Sequence, residues 1–157
     1  MRERAPLRRC IALKIAIGAD HAGFMLKDYL GSLLEQWGHD VEDCGTSSGE
    51  PVDYPDVARV VAQRVAAHGA DFGVLVCGSG NGMAIVANKV RGVRAVSVHD
   101  ETSARLARAH NDANVFCVGE RLVGREVAAA ALEAWLATPF GGGRHAQRVS
   151  KIEEPEA

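Results

Sequence analysis

The stretch FGVLVCGSGNGMAIVANK, Phe72 to Lys89, decides how the rest of the chain is read. Phe72 to Val76 is short, uncharged and rich in β-branched residues, which predicts a buried strand stopping at Cys77. Gly78, Ser79, Gly80, Asn81 and Gly82 then alternate glycine with small polar residues. Met83 to Lys89 follows as the start of a helix, with good formers and no breaker. Strand, glycine-rich turn and helix is the layout in which backbone N–H groups converge on an anion. Cys77 puts a thiol at the mouth of that turn.

Upstream, Lys14 to Gly18 predicts a first strand, and Ala19 to Gly23 a polar turn into a helix. That helix carries Leu26, Leu30, Leu33, Leu34 and Trp37 on one face and stops at Gly38. His39 to Asp43 predicts a second strand, followed by a long polar loop from Gly45 to Pro55. The next helix starts at Pro55, with Val57, Val60, Val61 and Val65 predicted inward. Downstream, Arg94 to Val98 and Val115 to Val118 are the fourth and fifth strands. Between them a helix from Glu101 to about Arg108 leads into the turn His110 to Asn114. Gly124 to Thr138 predicts a helix with Val127, Ala131, Ala134 and Trp135 inward, and a last polar helix begins near Arg144.

Strand and helix thus alternate through connections too long for hairpins, which requires crossovers and a parallel sheet with helices on both faces. Ligands of such sheets sit outside the carboxyl ends of the strands. That rule gathers Asp20-His21, the loop before Tyr54, Cys77 to Gly82, His99-Asp100 and Gly119 to Arg121 on one rim.

The 157 residues suit one domain, expected over 13–152, with a disordered lead-in at 1–12 and a frayed acidic tail at 153–157. Hydrophobic residues at 47% and charged residues at 24% are ordinary for a soluble globular protein. A net charge of −2 gives no electrostatic case for nucleic acid or an acidic membrane. No apolar run is long enough to span a bilayer, and no signal peptide is read in the basic first residues. The four cysteines, Cys10, Cys44, Cys77 and Cys117, form no C-x-x-C pair and no zinc spacing. Free thiols, a cytoplasmic location and no metal are expected.

Cys77 by type is a buried structural cysteine, but the glycine-rich helix start offers donors that stabilise a thiolate, a base or nucleophile. A dinucleotide site is the rival, since Asp100 lies where a ribose-binding acid is expected, yet G-x-G-x-x-G needs glycine where Met83 stands. His110 at a helix end is able to act as an acid near neutral pH, and His21 beside Asp20 is ambiguous alone. Arg144 and Arg148, spaced i, i+4, share a helix face and with Arg121 form a plausible phosphate clamp.

Taken together, several segments resemble the type B ribose-5-phosphate isomerases, a family shared with galactose-6-phosphate and allose-6-phosphate isomerases. They are Asp20 to Phe24, Asp53 to Pro55, Cys77 to Gly82, Ala87 to Lys89, His110 to Asp112 and Gly142 to His145. The resemblance runs from about Lys14 to Val149. It implies a Rossmann-like three-layer sandwich around a five-stranded parallel sheet, a homodimer (or tetramer) with active sites between subunits, and no metal or organic cofactor. It implies interconversion of ribose-5-phosphate and ribulose-5-phosphate, or of a six-carbon analogue. Cys77 would be the base, His110 the ring-opening acid and the Ser79 hydroxyl a catalytic proton shuttle between O1 and O2, and Gly78 to Gly82 would form an anion hole. Asp20, His21, Tyr54, Asn111, Arg121, Arg144 and Arg148 would bind the substrate, the arginines and His21 at its phosphate. Some members instead place a glutamate just after the glycine loop, where this chain has Met83.

Overall fold

The structure, a computed structural model, describes residues 11–154. The expectations for 1–10 and 155–157 lie outside the described residues. Eleven elements follow in order: β1 (Lys14–Ala19), α1 (Phe24–Gln36), β2 (Asp40–Asp43), α2 (Tyr54–Ala66), β3 (Phe72–Cys77), α3 (Asn81–Ala87), β4 (Ala95–Ser97), α4 (Glu101–Asn111), β5 (Val115–Gly119), α5 (Arg125–Ala137) and α6 (Arg144–Ile152). The strands form one parallel sheet in the order β2-β1-β3-β5-β4. The expected α/β three-layer fold is what the chain adopts.

Because side chains alternate along a strand, β3 feeds both layers. Val74 and Val76 join α1, α4 and α5 in one core, around Leu26, Leu30, Leu34, Phe116 and Trp135. Leu75 and Cys77 join α2 and α3 in the other, around Val61, Val65, Met83 and Cys117. From β1 the chain first moves outward to β2 and then returns to place β3 on the other side of β1. The carboxyl ends of β1 and β3 therefore flank a topological switch point, where α/β sheets open a crevice for ligands. Asp20 and Cys77 stand at those two ends.

Two inward assignments need correction. Val60 and Val127 are 46% and 48% exposed. Ala58 and Ala62 of α2, and Ala128 and Leu132 of α5, are buried instead. Small residues let these helices approach the sheet closely, and the bulkier valines turn outward. On α1 the buried face includes Lys27, whose ammonium donates to Asp43 at 2.7 and 2.9 Å and to the Thr46 carbonyl at 2.7 Å. All three donors are used, so a charge is tolerated there and the loop after β2 is bolted to α1. Glu153, expected in a frayed tail, is held by the Arg94 guanidinium.

Candidate active site

At the carboxyl edge, backbone contacts assemble the thiol and its neighbours. Asp20 is buried, and its carboxylate accepts the N–H groups of Ala22 and Gly23 at 2.9 and 3.1 Å, closing the turn into α1. His21 is exposed, and its Nδ1 accepts the Val52 N–H at 3.2 Å. Cys77 is 5% exposed and its sulfur accepts the Gly80 N–H at 3.1 Å. The turn after β5 closes over this segment: Glu120 N–H donates to the Cys77 carbonyl at 2.9 Å and Arg121 N–H to the Gly78 carbonyl at 3.0 Å. The Arg121 guanidinium lies 3.5 Å from where a Cβ on Gly78 would stand.

Two glycines here are dictated by space. A Cβ on Gly82 would stand 2.7 Å from the Tyr54 ring, and one on Gly119 would stand 2.5 Å from the Ser79 backbone. Tyr54 therefore lies flat on the glycine loop, and β5 supports the loop from beneath. Asn81 is fixed by its own turn, its N–H donating to Ser79 Oγ at 3.3 Å, and by the Ser97 hydroxyl, which donates to its Oδ1 at 3.2 Å. Ser97 and Val52 escaped the sequence reading as individual residues, and Gly119 was read only as part of the rim. Ser97 is one polar residue on an edge strand, and Val52 acts through a backbone N–H that no side-chain pattern reports.

The remaining residues gather elsewhere. α4 runs on past Arg108 to Asn111, so His110 sits in its last turn. Gly141 N–H donates to the Ala109 carbonyl at 2.9 Å, which docks the glycine turn onto the end of α4. α6 then starts beside it, and the His145 ring stacks on His110 with centroids 4.3 Å apart and planes 13° from parallel. His110, Asn111, Arg144, His145 and Arg148 line a cleft of about 260 Å³. His145 appeared in the sequence only within a motif; its stacking contact makes it part of this cluster.

These two clusters occupy opposite edges of the sheet. A helix following a parallel strand runs back, so the end of α4 lies at the amino edge. The Gly73 N–H at the start of β3 bonds the Asn114 carbonyl, three residues beyond Asn111, which places that turn there directly. β3 has six residues, so its ends stand roughly 17 Å apart at about 3.3 Å per residue. One chain brings Asp20, His21, Tyr54, Cys77, Ser79 and Arg121 together at one edge. It brings His110, Asn111, Arg144 and Arg148 together at the other. A phosphate clamp joining Arg121 to Arg144 and Arg148 does not form within one chain.

Electrostatics differ between the edges. Burial, and then the neighbouring Cys77, push the Cys117 thiol far up. Desolvation, then the charges of His110, Arg144 and Arg148, hold His145 below the ordinary histidine value. Asp100 is held below the usual carboxylate range chiefly by the Ser103 N–H, with which it forms a capping box at the start of α4. Among the described residues no three His, Cys, Asp or Glu side chains gather closely enough to hold a metal ion.

The model of the ribose/galactose isomerase family matches residues 15–152. The chain belongs to that family. Ribose-5-phosphate isomerase B of Escherichia coli (strain K12) is 48% identical over 139 residues, covering 88% of this chain and 93% of the relative. D-erythrulose-4-phosphate isomerase of Pectobacterium atrosepticum is 45% identical over 141 residues, covering 89% and 93%. The solved structure of Clostridium thermocellum ribose-5-phosphate isomerase B superposes with a TM-score of 0.89 at 45% identity, covering 90% of this chain and 95% of that one. Membership leaves little for the dinucleotide alternative. Met83 is fully buried where a third glycine would stand, and the Asp100 carboxylate already serves α4.

Proposed function

We propose that this family member is an aldose–ketose isomerase interconverting ribose-5-phosphate and ribulose-5-phosphate through a cis-enediolate, each active site being built from two copies of the chain. The observation that carries the second half is the division of the site residues between opposite edges of the sheet. One copy supplies the thiol and glycine loop, and a second supplies His110, Asn111, Arg144 and Arg148. A homodimer is the smallest assembly that does this, and its two-fold symmetry completes two sites at once.

The roles follow from chemistry. His110 of the second copy protonates the furanose ring oxygen and opens the ring. The Cys77 thiolate removes the C2 proton, whose acidity rests on spreading charge onto the carbonyl as an enediolate, and returns that proton to C1. The Ser79 hydroxyl carries the O2 proton to O1. Backbone N–H groups of Gly78 to Gly82 stabilise the developing oxyanion, usually the largest electrostatic effect in such sites. Asp20, Tyr54 and Asn111 hold the sugar. His21 and Arg121 of one copy meet Arg144 and Arg148 of the other at the phosphate, which fixes C2 against the sulfur. Only protons move, so the reaction calls for no cofactor.

Such a reaction belongs to the pentose phosphate pathway of the cytoplasm. Among the described residues no helix is long and apolar enough to cross a membrane. The relative named for D-erythrulose-4-phosphate, at 45% identity, makes a four-carbon substrate the second reading. Allose-6-phosphate and galactose-6-phosphate are the six-carbon ones. The test is an isomerase assay in chelator with all four sugar phosphates. Ribose-5-phosphate is expected to give the highest kcat/KM, and turnover of none of them would overturn the reading.

A further inference from the structure

Arg94 lies in neither half of the site, yet it joins the two elements that make the second half. Its own backbone is locked at the start of β4: its N–H donates to Asn114 Oδ1 at 2.8 Å, and its carbonyl accepts the Asn114 N–H at 2.9 Å. The guanidinium then reaches in two directions. Nε donates to the carbonyls of Asn111 and Asp112 at 3.0 and 3.1 Å, and Nη2 donates to the Asp112 carbonyl at 2.9 Å. These are carbonyls at the end of α4, where helices leave acceptors unpaired and favour positive charge. Nη1 faces the other way and donates to the Glu153 carboxylate, immediately after α6. The side chain is 16% exposed, which screens this pair less than an open surface pair.

α6 needs such a hold. It has nine residues and buries none of them. A helix that short has little stability of its own, so its docking determines its order. Its first turn is fixed by the Gly141 N–H to the Ala109 carbonyl and by the stacking of His145 on His110. With only that end fixed, the helix is free to rock about it, and Arg148 moves further than Arg144. We propose that Arg94 and Glu153 are a positioning pair that holds the far end of α6, setting the reach of Arg148 toward a substrate phosphate relative to His110 and Asn111. This rests on the isomerase reading above. A guanidinium suits the task because its planar fork addresses the α4 carbonyls and the Glu153 carboxylate from opposite sides, which a lysine ammonium cannot do.

The test compares Glu153→Gln and Arg94→Lys with the wild-type full chain. Glu153 lies near the surface, so its amide variant keeps the fold even where Arg94→Lys does not. KM for ribose-5-phosphate and the inhibition constant of inorganic phosphate are expected to rise together by about five- to tenfold, the scale of one weakened hydrogen bond, with kcat within about twofold. The double variant is expected to add little to either single one. Unchanged KM and phosphate affinity in Glu153→Gln would overturn the proposal, as would a fall in kcat alone. A rise in KM accompanied by dissociation in sedimentation would also overturn it, because the pair would then serve assembly. Should the wild type isomerise no sugar phosphate, the isomerase reading fails by itself. Calorimetric binding of inorganic phosphate to wild type and Glu153→Gln still decides the role of the pair.

Discussion

The Val52 backbone N–H donates to Nδ1 of His21 at 3.2 Å, so a neutral imidazole at this position carries its proton on Nε2. In the proposed site that nitrogen is then a donor toward the substrate phosphate. Val52→Pro removes the N–H, whereas Val52→Ala keeps it. KM for the sugar phosphate is expected to rise about tenfold in the proline variant, the scale of a hydrogen bond to a charged group, and to stay unchanged in the alanine variant. Nitrogen NMR of His21 reads the tautomer directly. A proline variant with the wild-type tautomer and KM would remove Val52 from this role.

Gly119→Ala tests how the glycine loop is supported. The new Cβ would stand 2.5 Å from the Ser79 backbone, which is not a flexible side chain that can swing aside. Overpacking of this kind costs about 1–3 kcal/mol, so urea unfolding should shift to lower concentration. The displaced loop should also lower kcat by at least about tenfold, since the proposed mechanism has this loop stabilise the oxyanion. Wild-type kcat in a destabilised variant would show that the loop holds its position without β5.

Thiol chemistry separates the two neighbouring cysteines. Cys117 is fully buried and its thiol is pushed up by burial and by Cys77, so it stays protonated and shielded. Iodoacetamide on the folded protein is expected to leave Cys117 unmodified, with loss of activity following alkylation of Cys77. Mass spectrometry of partially labelled samples measures both. Full alkylation of Cys77 with activity retained would dismiss it as the base.

These contrasts show what the chain made legible. Phe72 to Gly82 announced a strand and an anion-sized turn because both are local: alternation, β-branching and glycine spacing need no distant partner. Helix faces were less secure. Val60 and Val127 satisfied the helical spacing, but the close approach of Ala58, Ala62 and Ala128 to the sheet decides which side faces inward. His110 was recognisable as a helix-end residue, and the alternation of strands and helices already puts a helix end at the amino edge, away from Cys77. The stacking of His145, the Val52 N–H and the Arg94 bridge depend on residues distant in sequence, and no single-chain pattern reports them.

Stability should carry the mark of His145. Its proton is held less well in the folded chain, through desolvation and then the charges of His110, Arg144 and Arg148. Above its ordinary value of 6.5 both folded and unfolded chains are neutral there, and its contribution to stability is fully present. As pH falls through that value the unfolded chain takes up the proton first, so stability is lost on acidification. In phosphate-free buffer the wild type is expected to lose melting temperature more steeply from about pH 7 to 5 than His145→Asn does. Parallel curves would contradict the assignment.

The division of the site between two copies is tested most directly by complementation. Cys77→Ala chains and His110→Ala/Arg148→Ala chains, each inactive alone, are unfolded together in equal amounts and refolded. Random pairing makes half of the dimers mixed, and each mixed dimer holds one site with both intact halves, so activity should return to about one quarter of the wild-type value. Mixed dimers that form and remain inactive would contradict a site shared between chains.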